Sequence, residues 1–95
     1  MAVNAKAKGA RAERRAIRLL EASGYVCTKA GGSLGLFDIV AIGAVDVRCM
    51  QVKAGTKYLS AVEREQIAVL RVPANVTREY WRFPDRCRAP IIERL

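Results

Sequence analysis

Apolar positions along the chain change period several times, and each change marks a predicted element. Ala10, Glu13, Ala16, Ile17 and Leu20 fall at i, i+3, i+4 spacing and predict a helix over 9–23, stopped by Gly24. Its polar side carries Lys8, Arg11, Arg14, Arg15 and Arg18. Residues 25–29 read as a strand, 30–36 as a glycine-rich loop, and 37–42 as an apolar, buried strand. Gly43-Ala44 fits a two-residue hairpin turn with glycine first, as a type II′ turn wants. The strand 45–53 then alternates, with Val45, Val47, Cys49, Gln51 and Lys53 on one face and Asp46, Arg48, Met50 and Val52 on the other. Ser60 followed by Glu63 is a capping-box signature for a second helix, which Pro73 should end near Val72. Residues 79–83 and 90–94 complete the chain as two strands around a Pro/Asp/Arg turn. The order α-β-β-β-α-β-β predicts one sheet with helices packed on it, an α/β or α+β domain.

Ninety-five residues make one domain, with residues 1–8 expected as a flexible basic arm. Hydrophobic residues at 52% exclude a disordered chain. Seventeen Lys and Arg against nine Asp and Glu give a net charge of +8, which points to a polyanionic partner, DNA first. No apolar stretch predicts a membrane span or a secretory signal, so an intracellular protein is expected, in a prokaryotic cytoplasm or virus-encoded and acting in the host's. Cys27, Cys49 and Cys87 lack zinc-ligand spacing and read as buried thiols of a reducing compartment. The chain has no histidine, which excludes His-based acid/base chemistry, histidine-metal sites and Ser-His-Asp hydrolysis. Catalysis must use carboxylates, amides, lysines or hydroxyls.

Three places break the apolar pattern with chemistry. Glu13 sits on the apolar stripe of its helix, where a carboxylate needs a cation or donors; a neighbouring Arg14 is one bland partner. Gln51 and Lys53 continue an apolar strand face with polar groups, and Asp38 lies across the hairpin from them. With a two-residue turn Asp38 is diagonal to Gln51, and with a four-residue turn directly opposite; both registers keep the two on one face. Two carboxylates, an amide oxygen and an ammonium suit phosphodiester hydrolysis, since Mg²⁺ takes one or two carboxylates and keeps several waters. The structural alternative is an Asp38–Lys53 ion pair with no catalytic part.

These residues resemble the PD-(D/E)XK nuclease superfamily, and within it the archaeal-type Holliday-junction resolvases. The likeness runs through Lys8-Gly9 to Glu13-Arg14, Gly24-Tyr25, Gly31 to Gly35, Phe37 to Ala41, and Met50-Gln51-Val52-Lys53. It implies a restriction-endonuclease-like αβββαββ core with a central mixed sheet. It further implies a homodimer that binds four-way DNA junctions and cuts them with Mg²⁺ or Mn²⁺. Under the resemblance Asp38 is the central metal ligand, Gln51 occupies the acidic position and Lys53 is the catalytic lysine. Glu13 becomes the helical carboxylate, Val52 offers a backbone carbonyl to the metal, and Ser33 matches a serine of the resolvase site. Two residues depart from the pattern: Phe37 stands where proline often precedes the aspartate, and Gln51 replaces the usual glutamate. The second change removes a negative charge beside Lys53, which favours the neutral form of that lysine and makes it a better candidate base.

Lys8, Arg11, Arg14, Arg15 and Arg18 are the expected phosphate-binding surface, extended by Lys29, Arg48 and Lys57. Tyr58, Tyr80, Trp81 and Phe83 are expected in the core or a dimer interface. The leading expectation is a metal-dependent, structure-selective endonuclease acting on four-way junctions. Its rivals are a PD-(D/E)XK nuclease acting on flaps or duplex and a non-catalytic DNA-binding module with a decayed site.

Overall fold

The first helix, α1 (Ala5–Ala22), starts ahead of the predicted residue 9. Residues 5–8, expected as part of a mobile arm, are thus helical: alanine and lysine are good helix formers, and Lys8 is tethered by an ion pair to Asp85 at 2.5 Å. The computed structural model describes residues 5–30 and 35–95. Gly24 ends the helix as expected, at φ 92°, a left-handed conformation that glycine adopts without strain. Tyr25 N–H returns to the Leu20 carbonyl and Gly24 N–H to that of Glu21, each at 3.0 Å, the paired bonds of a Schellman stop.

Five strands follow, in a single mixed sheet of order β1-β2-β3-β4-β5: β1 (Val26–Lys29), β2 (Ile39–Ile42), β3 (Val47–Ala54), β4 (Val76–Phe83) and β5 (Ile91–Arg94). β3 and β4 run parallel, with α2 (Ala61–Ala68) in the crossover, and all other pairs are antiparallel. The element order is the predicted αβββαββ.

The turn between β2 and β3 differs from the two-residue hairpin. Ile42 pairs with Val47, leaving residues 43–46 as a four-residue turn closed by Gly43 N–H to the Asp46 carbonyl at 2.7 Å. Gly43 does not take a positive φ; its requirement is steric, because a Cβ there would lie 2.7 Å from the Tyr25 ring and 2.8 Å from the Asp46 carboxylate. Tyr25 Oη donates to that same carboxylate. The longer turn sets the register Ile39 to Met50, where the ladder ends: Asp38 N–H turns to the Met50 carbonyl at 2.8 Å, so Asp38 does not stand directly opposite Gln51 as a four-residue turn was expected to set it.

The sheet carries an apolar cluster on each face. Ala12, Ala16 and Leu20 of α1 pack on Ile39, Ala41, Met50, Val52, Ala54, Trp81 and Phe83. Fully burying Leu20, Ile39 or Met50 contributes about 1.5–3 kcal/mol each. On the opposite face Leu59, Ile67 and Tyr80 form a smaller cluster with Leu36, Phe37 and Leu95. Tyr58, expected in the core or a dimer interface, is exposed, as are Val62 of α2 and Val69 just after it. Tyr58 instead has the Arg82 guanidinium 4.6 Å from its ring centre. Of the cysteines, Cys27 and Cys49 are half-buried and Cys87 is exposed.

α2 stops at Ala68, before the position set by Pro73, and Arg78 on β4 takes up carbonyls at and just past that end. Arg78 Nη1 donates to Ala68 O at 2.9 Å and Leu70 O at 2.6 Å. Under α1, Glu79 is fully buried and holds Arg48 in a two-pronged ion pair at 2.9 and 2.7 Å. Arg48, expected on the DNA-facing surface, is therefore an internal partner, and it also lies 5.4 Å from the ring centres of Tyr25 and Trp81.

Candidate active site

The β2–β3 register brings the polar strand residues to one end of the sheet. There a cavity of about 340 Å³ is lined by Lys8, Glu13, Asp38, Gln51, Val52, Lys53 and Lys57, among others. Glu13 arrives on α1 from one side of the sheet. Gln51 and Lys53 stand on the other, sharing their face with Tyr80 and Arg82 directly across the parallel pair.

Asp38 lies just before β2, and its position is doubly fixed. Its backbone N–H donates to Met50 O at 2.8 Å, and its Oδ2 accepts the Val52 N–H at 2.8 Å. One residue's N–H and C=O point the same way in a strand, so the Val52 carbonyl also faces the flank where Asp38 sits. Gln51 is buried, and its Nε2 donates to Leu36 O at 2.7 Å. That bond assigns the amide's donor end to the loop and leaves Oε1 as its acceptor. Glu13 is half-buried, and its carboxyl is pushed above the ordinary range, first by burial and then by the charge of Asp38, while Lys29 draws it down.

Lys53 makes no ion pair with Asp38 among the described residues; its Nζ lies 3.4 Å from Oε2 of Glu63 on α2. Glu63 Oε1 meanwhile accepts the Ser60 N–H at 3.1 Å, and Ser60 Oγ accepts the Glu63 N–H at 3.1 Å, completing the predicted capping box. The Ser60 amide, and after it the charge of Lys53, hold the Glu63 carboxyl below its ordinary range against the cost of burial. Sequence reasoning identified Glu63 as a helix cap and missed its second contact. The carboxylate beside Lys53 is thus Glu63 of α2, where the structural alternative had expected Asp38.

The basic residues divide by what they already hold. Arg15 donates to the carbonyls of Cys87 and Arg88 at 2.9 and 2.7 Å and lies 4.5 Å from the Phe83 ring centre, tying the β4–β5 turn to α1. Arg11, Arg14, Arg18, Lys29 and Lys57 are exposed. A second cleft of about 220 Å³ adjoins the first through Lys8 and Ala54 and is lined by Arg11, Arg15 and Arg86. Arg86 takes a left-handed φ of 63° in that turn, and no helical or strand periodicity marked it. Ser33 lies outside the described residues.

The donor set fits a hard divalent cation. Glu13 and Asp38 repel each other across the cavity, which raises Glu13; one cation would relieve both, with Gln51 Oε1 and the Val52 carbonyl as neutral oxygen donors.

The architecture defines a class of fold before any relative is considered: an α+β domain with a five-stranded mixed sheet and two helices. It is similar to the crystal structure of Hjc from Archaeoglobus fulgidus, a Holliday junction resolvase from an archaeal hyperthermophile, with a TM-score of 0.75. The two are 24% identical, and the match covers 92% of this chain and 72% of that one. No family model matches the chain. No curated protein matches it.

Proposed function

We propose that the protein is a metal-dependent, structure-selective DNA endonuclease that hydrolyses phosphodiesters at four-way junctions, acting as a homodimer. One observation carries this reading: a single cavity gathers Glu13, Asp38, Gln51, Val52 and Lys53, flanked by Lys8 and Lys57 in a chain of charge +8. The resolvase-like fold supports the choice of branched DNA over other polyanions.

Glu13, Asp38, Gln51 Oε1 and the Val52 carbonyl would hold Mg²⁺ or Mn²⁺. When bound, that ion supplies charge stabilisation at the phosphoryl oxygens and an activated water. Asp38 is oriented for its part by the Val52 amide, and Gln51 by the Leu36 carbonyl. Lys53 offers its ammonium to the charge that develops on the phosphate in the transition state. Arg11 and Arg86, in the adjoining cleft, would receive neighbouring phosphates of the strand and position it without reading bases. The exposed Tyr58 before α2 and Val62 on it would supply apolar surface for a second copy of the chain.

The test is incubation with labelled four-way junction and linear duplex, with and without Mg²⁺ or Mn²⁺. Metal-dependent cutting of the junction in preference to duplex is the expected result. Equal cutting of duplex and flaps points to the broader nuclease reading, and absence of cutting on every DNA leaves only a binding module.

A further inference from the structure

Glu63 divides its two carboxylate oxygens between two tasks. Oε1 closes the cap at the start of α2 on the Ser60 N–H, while Oε2 faces Lys53 Nζ at 3.4 Å across the edge of the cavity. A cap alone needs one of these oxygens, and glutamine serves at that position as well as glutamate. The second contact joins a different element, β3, and falls on the one cavity-lining lysine that projects from the strand beside Gln51. Gln51 is neutral and its amide donor is committed to Leu36, so it gives Lys53 no ionic partner. Asp38 has turned one oxygen to Val52. Glu63 is therefore the carboxylate that fixes where the lysine's long, rotamer-rich stem ends.

We infer that Glu63 is a positioning residue for Lys53: α2 is placed so that its capping carboxylate also holds the lysine over the cavity, in the role left open by the neutral residue at Gln51. This rests on the nuclease reading above. Glu63 lines neither cleft and acts through Lys53. An unpaired lysine samples many rotamers, and a loosely held group loses the alignment on which transition-state stabilisation depends.

Two substitutions separate the tasks. Glu63→Gln keeps an oxygen for the Ser60 amide and puts an uncharged NH₂ group toward Lys53, removing the ion pair while retaining the cap. Ser60→Ala removes the hydroxyl half of the box and leaves the Glu63 carboxylate. Junction-cleavage kinetics, melting temperature and junction binding are measured for both beside wild type, together with the NMR signal of the Lys53 ammonium. The expected pattern for Glu63→Gln is a fall in kcat of about tenfold or more, with KM and melting temperature near wild type and the ammonium signal lost to fast solvent exchange. Ser60→Ala should melt earlier yet keep kcat well below its melting point and retain the signal. A carboxylate that merely repelled DNA would give the opposite result for Glu63→Gln, a lower KM with kcat unchanged. That outcome overturns the inference, as does a loss of kcat in both variants that tracks their loss of stability. A wild-type chain that cuts no DNA overturns the nuclease reading and this inference with it, whereas an active wild type matched by Glu63→Gln overturns this inference alone.

Discussion

Oδ2 of Asp38 accepts the amide hydrogen of Val52 at 2.8 Å, so one carboxylate both pins the entry to β2 and faces the cavity. Its neutral and truncated variants should separate these roles. Asp38→Asn keeps an oxygen for Val52 and should melt near wild type, with junction cleavage abolished and binding retained. Asp38→Ala should also lose stability, by about 1–3 kcal/mol, because a partly buried amide is left unpaired. Cleavage assays paired with calorimetry check both.

Gln51→Glu restores the charge that the resemblance leads one to expect, and should lower the Mg²⁺ concentration needed for half-maximal cleavage. It should also destabilise the fold by about 1–3 kcal/mol, because the new carboxylate would face the Leu36 carbonyl that Nε2 now satisfies. A metal titration and a denaturant titration report the two effects separately.

Metal binding should be visible without any DNA. The Glu13 carboxyl is raised in the folded chain, so without metal its contribution favours the fold at low pH and is lost as pH rises through its folded value. A cation reverses that penalty. Mg²⁺ at about 100 times its dissociation constant should add about 2.7 kcal/mol near pH 7, with a smaller gain near pH 5, where ligand protons compete. Glu13→Gln should lose most of the increment while folding normally, as scanning calorimetry with and without EDTA would show.

Glu79 has the opposite sign. Burial raises its carboxyl, yet hydrogen bonds from Arg48, Thr77 and Trp81, with the charge of Arg48, outweigh it and hold the group below 4.5. Its contribution is present above that value and is lost as pH falls through the folded pKa, so acid unfolding should begin below about pH 4.5. Arg48→Met should cost about 3–5 kcal/mol at pH 7, since it strands a buried charge. Chemical denaturation across pH 3–7 tests both statements.

Arg11 and Arg15 read alike in sequence but should behave differently. Arg11→Ala should weaken junction binding and reduce the salt slope by about one counterion. Arg15→Ala removes the ties to the Cys87 and Arg88 carbonyls and should lower the melting temperature. A shift of about 4–8 °C per kcal/mol is expected for a domain of this size.

Element order and the strand parity of Gln51 and Lys53 were legible because both follow from local periodicity. Gly24 was legible because a Schellman stop is itself local. The β2–β3 turn takes the longer of the two lengths the sequence left open, because Gly43 answers to the Tyr25 ring, a contact distant in sequence. Arg48, Arg15 and Glu63 were misassigned or half-read for the same reason. A charged side chain in a pattern reveals its face, whereas its partner is fixed only when β4, α2 or the β4–β5 turn comes alongside. The cap that Arg78 places on the end of α2 is likewise a contact that no helix rule could anticipate from residues 60–73.

The two apolar clusters on opposite faces give the molecule halves of unequal persistence. The face bearing α1 is broad, while the face bearing α2 rests on Leu59, Ile67 and Tyr80 with three partly buried neighbours. Regions with few buried apolar contacts open locally at lower free energy than the core does. Lys53 depends on the thinner half for Glu63, so a brief excursion of α2 would disarm the lysine while Glu13 and α1 stay in place. Amide exchange slower in α1 than in α2 would mark that excursion as a separate opening event, an intermittent off state available to a chain that remains folded.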